Sequence, residues 1–72
     1  MNANDAIAKL NRWEQRRVDN AYHVNRSAYL EDQWSVTLDV GMVVSAVGEG
    51  KTLAIATVDA FRQLNAQRAQ RK

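Results

Sequence analysis

The sequence predicts a small, mainly α domain of three helices, at residues 4–23, 36–47 and 53–70. Three observations carry this expectation. Apolar residues recur at three- and four-residue spacing through the first third of the chain. Five valines from Val36 onward fall on one helical face. An Ala-rich stretch then follows Thr52. With 72 residues the chain is one domain at most, because a single core does not split at this size. A hydrophobic share of 46% suits a folded domain rather than a wholly disordered one.

In the first element, Ile7, Leu10, Glu14, Arg17, Val18 and Ala21 share one face, and four of these six are apolar. Asn4 suits the N-cap, where its side-chain oxygen can accept from a free backbone N–H. Asp5 then complements the positive end of the helix dipole. Residues 23–33 show no period and read as a solvated connection, pinned to the core by Tyr29 and Leu30.

Residues 34–47 carry two patterns at once. Trp34, Val36, Leu38, Val40 and Met42 alternate with Ser35, Thr37, Asp39 and Gly41, the period of a half-buried strand. Yet Val36, Val40, Val43, Val44 and Val47 also form one helical face, with Ser35 to cap it and Gly48 to end it in the left-handed conformation. Valine favours the strand. Caps and pattern length favour the helix, which is the reading preferred. The alternative is α+β, with a strand or hairpin across 34–57 between two helices. In the last element Thr52 is the N-cap. Leu53, Ile55, Ala56, Val58, Phe61 and Leu64 cover most of its circumference, so its start should be buried. The basic end, 66–72, is expected to fray.

Chemistry-bearing residues are few. No Cys occurs and His23 is the sole His, so thiol chemistry, disulfides and a conventional zinc site have no basis. Gly48-Glu49-Gly50-Lys51-Thr52 resembles the tail of a phosphate-binding loop, but Ser45 stands where the leading Gly is required. Glu31 and Asp32 are adjacent on a connection and do not converge on a substrate. A core of this size supplies only ~3–5 kcal/mol, leaving little to hold a strained active site. The expectation is a non-enzymatic protein with no cofactor and no metal. The polar, acidic start lacks the pattern of a secretory signal. The longest apolar stretch, 40–47, falls well short of the ~20 residues that span a bilayer. These two features point to a soluble, cytoplasmic protein with no membrane partner.

The first helix is the richest surface. Lys9, Arg12, Arg16 and Arg17 surround Trp13, which sits about 80° from the centre of the apolar stripe and should be half exposed. Trp and Arg dominate binding hot spots, so these five residues are the candidate partner-binding site. The same patch would suit phosphates and bases, making a small DNA- or RNA-binding module the alternative. Net charge is only +2, and the acids of the first half balance its cations, so a protein partner ranks above nucleic acid.

The opening Met1-Asn2-Ala3-Asn4-Asp5-Ala6-Ile7-Ala8-Lys9-Leu10, the length, and the Arg-rich composition without Cys or Pro resemble the small bacteriophage-encoded regulators of host RNA polymerase, of the Xanthomonas phage type. The resemblance spans the chain without a diagnostic motif. It implies binding near the RNA exit region, on the β′ N-terminal part and the β flap. It further implies σ displacement at initiation, and antitermination together with an elongation factor. No functional residue transfers position by position.

Overall fold

The computed structural model describes residues 1–27 and 33–70. Its elements run α1 (Ala3–Arg16), β1 (Asn20–Arg26), β2 (Trp34–Val40), β3 (Val43–Gly50) and α2 (Leu53–Gln70). The strands form one antiparallel sheet in the order β1-β2-β3. The fold is therefore α+β, and the three-helix expectation is overturned at two places: residues 36–47 form a hairpin, and the end of the expected first helix is a strand. The expected anchors Tyr29 and Leu30, and the pair Glu31 and Asp32, lie outside the described residues.

Helix α1 begins earlier than a cap at Asn4 would place it. Asn2 is the cap: its side-chain oxygen accepts from the Asp5 N–H at 2.9 Å, and the Asp5 carboxylate accepts from the Asn2 N–H at 3.4 Å, a reciprocal box. Its far end is set by Asn20, which is buried and donates its side-chain N–H to the Trp13 carbonyl at 2.9 Å. That carbonyl is among the last of the helix and would otherwise lack a partner. Arg17 is already extended, with φ −142° and ψ 142°. Val18 and Ala21 thus leave the helical stripe. The buried face recentres on Ala6, Leu10 and Trp13. Tyr22 on β1 donates its hydroxyl to the Asn11 side-chain oxygen at 2.6 Å, fixing α1 against the sheet.

In β2 the two-residue period prevails: Val36 and Leu38 are fully buried, while Ser35, Thr37 and Asp39 are only partly so. The valines of the competing helical pattern span a register shift. Leu38 pairs with Ala46 but Asp39 pairs with Val44, so Ser45 is an extra residue in β3. Val44 pairs with Asp39 and Val47 with Thr37, so the bulge places these two valines, three positions apart, on one face of the sheet, a spacing that also fits a helix. Gly41 and Met42 make the hairpin turn with φ of 61° and 67°. Positive φ at both positions is the mirror-image turn that matches strand twist.

Helix α2 occupies the predicted range and carries the predicted cap, since Thr52 Oγ1 accepts from the Ile55 N–H at 3.1 Å. It is not buried all round: Leu53, Ala56, Ala60 and Leu64 enter the core, whereas Ile55 and Val58 are exposed. Gly48 is not a helix stop and does not lie in the left-handed region. It lies in β3 directly beneath α2, where a Cβ would stand 2.2 Å from the Ala56 carbonyl oxygen and the Ala60 nitrogen. The helix packs on the strand through small residues from both sides. Helix α1 leans on β1 and α2, closing the shared core. Among the described residues no helix is long and apolar enough to cross a membrane.

Candidate interaction surface

The seam between α1 and α2 opens as a groove of about 450 Å³, lined by Lys9, Arg12, Trp13 and Arg16 from α1 and by Phe61, Leu64 and Asn65 from α2. Four of the five predicted residues therefore meet in one place. Arg17 does not join them, because the backbone turns away after Arg16.

Trp13 has a different role from the one expected. It is 5% exposed, a core side chain rather than a half-open platform. Its ring meets Phe61 edge to face, with centroids 6.0 Å apart and planes at 80°. That is a favoured aromatic geometry. The cause is the shortened helix. Once Val18 and Ala21 leave the stripe, Trp13 is near its centre. Its indole N–H is buried with no partner among the described residues.

The cations stand around this apolar base. Lys9, Arg12 and Arg16 are exposed, and Lys9 Nζ lies 5.0 Å from the Phe61 ring centroid. At that position the ring face attracts its charge. Among the described residues no carboxylate pairs with these three cations. Their charge is available to a ligand. The α2 side of the groove is not legible in the sequence, because Phe61 and Leu64 read there only as part of a buried helix and Asn65 carries no signal. Nothing local marks which α2 residues border α1.

The remaining motifs resolve structurally. His23 does meet a carboxylate, with Nε2 3.2 Å from Asp39 Oδ2, but on the outer face of the sheet, away from the groove. Gly48 and Gly50 are strand residues packed against α2, so the segment that resembled a phosphate-binding loop does not wrap a cavity. Among the described residues no cluster of three His, Asp or Glu side chains is placed to hold a metal ion. Comparison with family models, with curated proteins and with solved structures returns no match.

Proposed function

We propose that this chain is a non-enzymatic regulator that binds an acidic surface of a large protein assembly, bacterial RNA polymerase, through the groove between α1 and α2. It would act in the host cytoplasm, inhibiting initiation and modulating termination. The observation that carries the binding reading is the groove itself. Lys9, Arg12 and Arg16, unpaired with any carboxylate among the described residues, rim a base of Phe61 and Leu64. A polar rim around an apolar centre is the anatomy of a protein interface. The polymerase is the partner that the resemblance of the sequence singles out. Nucleic acid ranks lower for a structural reason as well as for charge: with Trp13 buried, the groove offers a base only the half-buried Phe61 ring, over which Lys9 already lies.

The test is retention of polymerase from bacterial lysate on the tagged chain at physiological salt. Wild type should retain it, and Arg16→Glu should weaken binding by ~1–3 kcal/mol without altering the fold, since Arg16 is exposed. Absence of every polymerase subunit from the wild-type eluate would refute the assignment. Binding to naked oligonucleotides that falls steeply with salt would favour nucleic acid instead.

A further inference from the structure

Helix α2 is apolar on two sides. Leu53, Ala56, Ala60 and Leu64 fill its core side, yet Ile55 and Val58, turned away from the sheet, are 52% and 39% exposed. A helix with one apolar side has water on the other, whereas one apolar all round is covered all round. The sheet covers the core side and α1 lies along the Phe61 side. Ile55 and Val58 are on neither. With Met1, Asp59, Arg62 and Glu49 of β3 they line a shallow hollow of about 510 Å³.

The charges at the rim of this hollow are of both signs and unspent. Arg62 and Glu49 are exposed, and among the described residues neither has an ion-pair partner. Asp59, in the same hollow, is engaged: its Oδ2 accepts from the Glu49 N–H at 3.0 Å and from the Gln63 side-chain N–H at 3.1 Å. The first of these bonds also bears on β3. An edge strand offers its outward N–H groups to a further strand. At the end beside α2, however, the Glu49 N–H is taken by Asp59. The open surface there is the helix face, not the strand edge.

We infer that this face pairs with a second copy of the chain, α2 against α2 and antiparallel, about a two-fold axis near Val58. A two-fold contact sets one patch against itself, so the patch must be its own complement. This one is. On the axis Val58 meets Val58 of the second copy. Ile55 and Arg62 lie ~4.5 and ~6 Å to either side of it along the helix, so each comes opposite the other. The Arg62 stem then covers Ile55 of the second copy, and its guanidinium reaches Glu49, whose neighbour Gly50 lies against Ile55. The axis repeats this pair, giving two ion pairs around an apolar centre. Charge selects the occupant. A uniformly acidic surface, whether protein, lipid or nucleic acid, would oppose Glu49, and a uniformly basic one would oppose Arg62. A second copy brings the opposite charge to each. None of the residues that line the groove between α1 and α2 is used.

The experiment is sedimentation equilibrium of the full chain from micromolar to millimolar concentration, with circular dichroism to confirm that each variant is folded. Wild type should show a monomer–dimer equilibrium. Val58→Asp should raise the dissociation constant at least ~10-fold, because it sets a charge at the centre of the contact. Arg62→Glu and Glu49→Arg should each weaken the dimer alone, by placing like charges opposite one another. Mixed in equal amounts these two should dimerise again, since each chain then carries the charges that the other needs. That rescue separates pairing between copies from damage to the fold, which mixing does not repair. A wild-type chain that stays monomeric throughout would overturn the proposal. So would a dimer that none of the three substitutions weakens, or a mixture of folded variants that stays monomeric. Wild-type binding to anionic vesicles that Val58→Asp abolishes would assign the face to a lipid surface instead.

Discussion

Replacing Gly48 by Ala tests the packing that defines this fold. In a strand, Gly→Ala ordinarily stabilises by ~0.5–1 kcal/mol, because Gly loses more backbone entropy on folding. Here the sign should reverse. The added Cβ would lie 2.2 Å from the Ala56 oxygen and from the Ala60 nitrogen, and 2.7 Å from the Ala60 Cα. Ordinary contact begins near 3.4 Å. All three obstacles are backbone atoms, so no side-chain rotation relieves them. Helix α2 must retreat by roughly an ångström, parting Ala56 and Ala60 from β3 and loosening Leu53 and Leu64 around them. Overpacking a core costs ~1–3 kcal/mol and occasionally more, and a clash with helix backbone belongs at the upper end. At ~0.05–0.15 kcal/mol per residue the whole domain holds about 4–11 kcal/mol. A loss of ~3 kcal/mol should therefore lower the urea midpoint by ~2–3 M, given a slope of ~1 kcal/mol/M for a domain this small. Ala60→Gly should not rescue it, since the clash is with the Ala60 main chain. A Gly48→Ala stability within ~0.5 kcal/mol of wild type would refute the close approach of α2 to β3.

Other outcomes check the remaining elements. Trp13→Ala should destabilise by ~3–5 kcal/mol, as removal of a buried Trp does in a closed core. In a Trp34→Phe background, Trp13 fluorescence should be blue-shifted and shielded from acrylamide; quenching like that of a free indole would contradict its burial. Asn20→Ala should cost ~1–3 kcal/mol, because the Trp13 carbonyl is left without its donor in a buried setting; an unchanged thermal midpoint would show that this bond does not end α1. Together with Arg16→Glu at the groove, these separate residues that hold the fold from those available for binding.

The division between holding and binding follows the charge and size of side chains. Ala, Gly and two aromatics bring α2 against β3 and α1. Long cations cannot enter that core without losing hydration, so they stand at the seam. In this way a small core and a basic groove are products of the same packing, and the groove exists only because both helices lie on the same sheet.

Local signals in the chain were sufficient for some of this. The cap at Thr52 and the range of α2 were legible, because capping and helix length depend on residues a few positions apart. So was the basic character of α1, and the period-two run from Trp34 to Met42 is present in the sequence beside a helical pattern that outweighs it locally. What tertiary structure decided was which pattern prevailed. Alternation in β2 won because Val36 and Leu38 could be buried beneath helices contributed by both ends of the chain, while the bulge at Ser45 put Val44 and Val47 on one exposed face of β3 despite their helix-like spacing. Helix α1 stopped at Arg16 because Asn20 reached back to Trp13 and β1 found β2 as its partner, with Asn20 opposite Val40. That shorter helix turned Trp13 from a surface anchor into core. Strand pairing and helix contact join residues far apart in sequence, and no periodicity within a single segment encodes its partner.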